Sequence, residues 1–197
     1  MFWKVNREST MFRGVLVVMA LAAVSLLPAF AQGNAGRFGP PSGRGTAVAA
    51  LSAEEAQELA YMREEEKMAR DLYNKLAEKW NLRVFDRIAD SEQRHFDAVG
   101  RLLTRYNIPD PALDMPEGKF KDASLQALYD ELLAKGSISV KDALEVGALV
   151  EKTDIADLEE ALKTATNAEV KRVFTSLLQG SMNHLDAFEA CLELVNQ

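Results

Sequence analysis

Four long stretches of the chain carry apolar residues at heptad spacing, and each series is broken near its middle by polar groups. The first runs Leu59, Met62, Glu66, Ala69, Tyr73, Leu76 and Trp80, with Glu66 its only charged member. The second is Phe85, Ile88, Glu92, His95, Val99, Leu102 and Tyr106, where a carboxylate and an imidazole stand in places that should hold core residues. Leu144, Gly147, Glu151, Asp154, Leu158 and Ala161 form the third, and Val170, Phe174, Leu177, Ser181, His184, Phe188, Cys191 and Val195 the fourth. The pattern predicts an all-α bundle of four main helices, with a buried polar layer between apolar ends.

Local signals set the boundaries. Ser52 followed by Glu55 forms a capping box that starts the first helix, and Asn81 ends it. Since Val84 soon opens the second helix, the two form an antiparallel hairpin. Residues 107–121 contain Pro109, Pro111, Pro116 and Gly118 and cannot continue a helix. That stretch is a crossover, followed by a short extra helix that buries Leu125, Leu128, Leu132 and Leu133 and closes at Gly136. Ser139 with Asp142, then Thr166 with Glu169, cap the third and fourth main helices. A long connection at this point lets the second and third main helices run parallel. Glu64 and Glu65 read as part of a solvated charge run.

Composition narrows the chemistry. The chain has 197 residues, 48% of them apolar, and a formal charge of -7. This suffices for one globular domain, placed at residues 51–197. The acidic balance argues against a nucleic-acid partner. Cys191 is the single cysteine, so intrachain disulfides and thiolate clusters are excluded. A metal site must then use carboxylates and imidazoles. Near the start, Lys4, Arg7 and Arg13 precede an apolar run over residues 15–27, then Pro28 and Ala29-Phe30-Ala31. This fits a secretory signal over residues 1–31, and residues 32–50, rich in Gly, Pro, Ser and Ala, read as a flexible linker. Export to the periplasm or beyond follows, with no stable membrane anchor after cleavage.

Several buried carboxylates without partners are costly, and the heptad stripes supply few cations to offset them. Divalent metal ions would do so. Glu66, Glu92, His95, Glu151 and His184 are the candidate ligands, with Asp154 a sixth that competes with Ile155 for its place. Three carboxylates and two imidazoles suit iron or manganese and are usable by zinc.

The segments Glu66-Lys67-Met68-Ala69-Arg70-Asp71-Leu72-Tyr73 and Ser91-Glu92-Gln93-Arg94-His95 resemble the first half-site of rubrerythrin-type members of the ferritin-like superfamily. With Gly147-Ala148-Leu149-Val150-Glu151 and Gly180-Ser181-Met182-Asn183-His184, the chain from about residue 51 to 195 is similar to the ferritin-like domain-of-unknown-function family 2202. The resemblance implies a ferritin-like antiparallel four-helix bundle whose long crossover carries a short extra helix. It also implies two iron ions, with Glu66, Glu92 and His95 on one and Glu151 and His184 on the other. Glu92 would bridge them, with Glu151 a second candidate bridge and a single-ion site the alternative. Ser181 departs from the pattern, standing where the second Glu-x-x-His would have its glutamate, which leaves the second site weaker, open to water or completed by Asp154.

Three functions fit this reading. The first is redox chemistry on oxygen or peroxide at a di-iron or iron/manganese centre, as in a ferroxidase or peroxidase, with Tyr73 or Tyr106 nearby or simply packed in the core. The second is non-catalytic metal binding and buffering, and the third a structural bundle with a degenerate site. A monomer or homodimer is the expected state.

Overall fold

The computed structural model describes residues 50–195, so the signal and almost all of the linker expected before residue 51 lie outside the described residues. Within them are five helices and no strand: α1 (Ala53–Trp80), α2 (Arg83–Arg105), α3 (Ala123–Gly136), α4 (Val140–Thr164) and α5 (Ala168–Val195). The chain therefore forms an all-α bundle with a short extra helix, α3, after the crossover. No described helix is long and apolar enough to cross a membrane.

The caps account for most of the boundaries. Ser52 Oγ accepts from the Glu55 N–H, and Glu55 Oε2 accepts from the Ser52 N–H, both at 3.1 Å. Asn81 closes α1 in the left-handed conformation, at φ 51°, and only Leu82 separates it from α2. Ser139 Oγ accepts from the Asp142 N–H at the head of α4. At α5 the expectation is off by one residue. Asn167, not Thr166, caps the helix, through Oδ1 accepting from the Glu169 and Val170 N–H groups. Thr166 is occupied elsewhere, since its N–H donates to Glu55 Oε1 at 2.7 Å.

That last bond also fixes a direction. The start of α1 meets the α4–α5 turn, whereas Tyr73, further along α1, reaches Gly147 near the start of α4, so α1 and α4 are antiparallel. Tyr106, at the end of α2, donates to Glu169 at the start of α5 at 3.0 Å, and these helices are antiparallel too. Because α1–α2 and α4–α5 are hairpins, α2 and α4 point the same way. The crossover between them is what makes this possible.

Two apolar clusters fill the bundle. One joins Leu72, Tyr73, Leu76, Phe85, Leu144 and Phe188, with α3 adding Leu125, Tyr129 and Leu132. Tyr129 thus takes a buried place expected of leucine, and Leu128 and Leu133 lie only half-buried at the edge. The other cluster joins Leu59, Met62, Val99, Leu102, Leu158, Phe174 and Leu177. The polar layer lies between them.

The crossover is fastened to α1 by charges that the heptad stripe does not include. Lys67 is 2% exposed and Asp71 1%. Lys67 Nζ donates to Asp71 Oδ2 at 2.5 Å and to the Pro116 carbonyl at 2.7 Å. Asp71 also accepts from the Gly118 N–H and from Arg70. Glu64 is likewise buried, contrary to the solvated reading: its carboxylate accepts from the Lys121 and Asp122 N–H groups where the crossover enters α3. A crossover without regular structure has backbone N–H groups to satisfy, and these acids satisfy them.

Asp71→Ala strands the buried Lys67 ammonium. We expect a loss of about 3–5 kcal/mol in urea unfolding, with most of it regained in the Lys67→Met, Asp71→Leu double variant. A loss below about 1 kcal/mol would mean that the pair does not hold the crossover.

Candidate metal centre

Each main helix turns its mid-length polar residues into one layer. On α2 the i, i+3 spacing of Glu92 and His95 puts both on the face turned to the other helices, and α5 does the same with Ser181 and His184. Glu66 comes from α1, and Glu151 and Asp154 come from α4. All seven are buried.

Glu92 stands at the centre of this layer. Its Oε2 lies 2.8 Å from His95 Nδ1 and its Oε1 2.7 Å from His184 Nδ1. Glu66 Oε2 approaches His95 Nδ1 at 3.4 Å, and Glu151 Oε2 approaches His184 Nδ1 at the same distance. The result is two triads sharing one glutamate: Glu66, Glu92 and His95, and Glu92, Glu151 and His184, each with one ligand atom per residue and all three atoms within 4.8 Å of one another. The two imidazoles stack, with ring centroids 5.4 Å apart. Despite these short distances, both Nδ1 atoms, Glu66 Oε1 and Glu92 Oε1 make no hydrogen bond within the described residues. Buried polar atoms are rarely left so, and their convergence fits a divalent cation among them.

The surroundings hold these groups in place. Tyr73 donates its phenolic O–H to Glu151 Oε1 at 2.7 Å. Gly180 leaves the space that His95 occupies, because a Cβ built there would lie 2.5 Å from His95 Nε2. Gly147 makes the same allowance for the Phe188 ring, 2.6 Å from its virtual Cβ. Asp154 is in the layer but in neither triad, and its Oδ2 accepts from the Ser181 hydroxyl at 2.5 Å. Ser181 and Asp154 together stand where a second Glu-x-x-His would have its carboxylate.

Two sequence expectations change. Glu65 is buried at 4% exposure rather than solvated, and its Oε2 also lacks a hydrogen-bond partner within the described residues. The signal was in the chain: Met68 and Leu72, three and seven residues on, define a second buried stripe of α1 that includes Glu65. Tyr106 lies away from the layer, bonded to Asn167 and Glu169 at the end of the bundle. Of the two tyrosines, Tyr73 is the one that touches the site.

Crowding buried acids shapes their ionisation. Burial, then the charges of Asp154 and Glu92, holds the Glu66 carboxyl well above the usual carboxylate range. Burial and the Glu92 charge push Glu151 up to about 8, and burial raises Asp154 to about 7 against the Ser181 hydrogen bond. For Glu92 burial is overcome by the two imidazoles, which lower it to about 2. The imidazoles respond in kind: burial opposes their charge, yet Glu151 and Glu92 raise His184 to about 9.

Fold and site thus define an all-α bundle with buried carboxylate–histidine groupings able to hold a metal. Residues 55–197 match the uncharacterized protein domain DUF2202, and the chain belongs to that family. It is similar to the uncharacterized protein MJ0754 of Methanocaldococcus jannaschii, with 49% identity over 138 residues, 70% of this chain and 75% of that protein. The crystal structure of hypothetical protein MJ0754 from Methanococcus jannaschii superposes with a TM-score of 0.73 at 46% identity, over 74% of this chain and 83% of that one.

The ionisation pattern gives a sign to the stability of the metal-free protein. Glu151, Asp154 and His184 all have folded-state values above their ordinary ones, so each contributes most below its ordinary value. That contribution is lost as pH rises through about 8, 7 and 9 respectively. Glu92, lowered to about 2, acts in the opposite sense and only in acid. We expect Tm of the apo protein to fall by roughly 5 °C or more between pH 5 and pH 9, as read by calorimetry. A flat or rising Tm would contradict the placement of these acids.

Proposed function

We propose that this chain is an exported ferritin-like metalloprotein whose layer binds two divalent ions, iron or iron with manganese, and carries out redox chemistry on oxygen or peroxide. The observation that carries the reading is Glu92, whose two oxygens face two different imidazoles at 2.8 and 2.7 Å, while Glu66 and Glu151 each approach one of the same two nitrogens at 3.4 Å. A carboxylate so placed suits a bridge between two cations. The up-down-down-up run of the main helices, and a single Glu followed by a Glu-x-x-His in the first half, agree with ferritin-like di-metal bundles. Export rests on the signal read over residues 1–31.

Glu66, Glu92 and His95 would hold one ion, and Glu92, Glu151 and His184 the other. Hard carboxylate oxygens and borderline imidazoles favour iron and manganese, with zinc admissible. When bound, a pair of such ions supplies the electrons for reducing an oxygen–oxygen bond. The chain's own part is to position and to exclude. Tyr73 orients Glu151 and keeps a phenolic proton 2.7 Å from it, and the apolar clusters on both sides keep bulk water out of the layer. Gly180 seats His95.

A second reading, non-catalytic metal binding and buffering, has one observation in its favour. Ser181 supplies a hydroxyl bonded to Asp154 where the second half-site lacks its glutamate, so the two ions need not be held equally.

Elemental analysis of the purified protein separates these readings. We expect about two ions per chain, with both lowered in Glu92→Ala and one in His184→Ala. Consumption of peroxide or oxygen by the loaded protein supports the redox reading, while full loading without turnover leaves the buffer. No ion after reconstitution with iron, manganese or zinc would sink both.

Gly180→Ala adds a methyl group that must displace His95. Metal affinity should fall by about tenfold or more, about 1.4 kcal/mol, while the helix itself, given a better helix former, keeps its stability. Unchanged affinity would remove the role assigned to Gly180.

A further inference from the structure

Beside the two triads, on the wall between α1 and α4, lies a second set of acids that the centre does not use. Glu65 projects from α1, and Asp154 and Asp157 project from α4 one turn apart. Glu65 is 4% exposed and Asp154 7%. Glu65 hydrogen-bonds Asp157, which is half-buried toward the surface. One oxygen of each buried acid, Glu65 Oε2 and Asp154 Oδ1, has no hydrogen-bond partner within the described residues. Both residues line a small cavity that also touches Glu66, Glu92 and Glu151 of the triads. Its volume, about 10 Å³, accommodates about one water-sized sphere.

Ion pairs with the nearby cations of α1 do not account for the free oxygens of Glu65 and Asp154 among the described residues. The basic residues on this part of α1 are engaged elsewhere: Arg63 with Asp110 and the Phe96 carbonyl, Lys67 with Asp71 and Pro116, and Arg70 with Asp71 and Gln93. Ser181 occupies Asp154 Oδ2, which leaves Oδ1 as the oxygen without a hydrogen bond among the described residues. Two hard oxygens, both buried and both on residues that line this cavity, suit a divalent cation.

We propose that Glu65 and Asp154, with Asp157 at the outer end, form a third cation position through which divalent ions pass from solvent to Glu66 and on to the pair. The inference rests on the reading of the layer as a metal centre. Transfer here is ligand exchange: the ion leaves carboxylate oxygens of the outer site for those of Glu66, and no electron or covalent bond changes hands. The arrangement also assigns a use to the Ser181–Asp154 pair, since the serine fixes the carboxylate in the orientation that presents its other oxygen to an incoming ion.

The test uses the full chain stripped of metal and Co²⁺ as the probe, with loading followed by stopped-flow absorbance and final occupancy by elemental analysis. We expect Glu65→Gln and Asp157→Asn to load about tenfold more slowly or worse, and still to reach the wild-type occupancy of the paired sites. A weaker additional ion taken up by the wild type at high Co²⁺ should be lost in both. Glu159→Gln, an equal change of charge at an exposed position of α4, should load at the wild-type rate. Thermal unfolding of each apo variant checks the fold, and Asp157, at the outer end, tests the route even if Glu65→Gln does not fold. Wild-type loading rates in Glu65→Gln and Asp157→Asn overturn the route and leave the paired centre standing. Equal slowing in Glu159→Gln overturns it as well, because net charge would then be the cause. Failure of the wild type to bind Co²⁺ overturns the route and the metal centre together.

Discussion

The structure depends on how a handful of buried carboxylates is compensated. Glu92 sits between two imidazoles, and its charge is the one that the surroundings favour. Glu66, Glu65, Glu151 and Asp154 crowd around it, and each added acid raises the cost of ionising the others. In an apolar bundle an uncompensated buried charge costs several kilocalories per mole. The layer can relieve this by holding protons or by holding cations. The two histidines relieve only part of it, because the triads and the neighbouring cavity still contain oxygens with no hydrogen bond among the described residues.

The rest of the fold serves this layer by keeping its geometry narrow. Apolar clusters above and below fix the helix spacing, and the aromatic contacts of Tyr73, Phe85 and Phe188 stiffen the side from which Tyr73 reaches Glu151. Two glycines do the converse and remove bulk, so that Phe188 and His95 can lie directly against neighbouring helices. The crossover has no regular structure of its own, yet its backbone groups end on Glu64, Lys67 and Asp71 of α1. Much of the charge on α1 is therefore internal fastening, distinct in purpose from Glu65 and Glu66 beside it.

Membership of the DUF2202 family and similarity to MJ0754 establish kinship without naming a reaction, so chemistry has to be argued from the site. There the two halves are unequal. α2 presents Glu92 and His95, whereas α5 presents Ser181 and His184, and the serine hydroxyl is committed to Asp154. An asymmetric layer gives its two halves different sets of donor groups.

The sequence by itself determined the helices and the existence of a polar layer. Heptad spacing depends only on the 3.6-residue turn, and capping residues act on their own backbone, so Ser52, Asn81 and Ser139 were legible as they stand. The set Glu66, Glu92, His95, Glu151 and His184 was legible because each interrupts an apolar stripe, and the tertiary structure then brought these residues together. What a stripe cannot convey is burial supplied by another element. Glu64, Lys67 and Asp71 have the composition of a solvated face, and only the crossover folded over them makes it internal. Glu65 looked exposed because one heptad stripe is narrower than the face that α1 buries. The α5 cap moved from Thr166 to Asn167 because Glu55, distant in sequence, took the Thr166 N–H. The assignment of Asp154 to Ser181, and the cavity it shares with Glu65, likewise required the helices to be placed side by side, since hydrogen-bond partners and voids are properties of packed pairs.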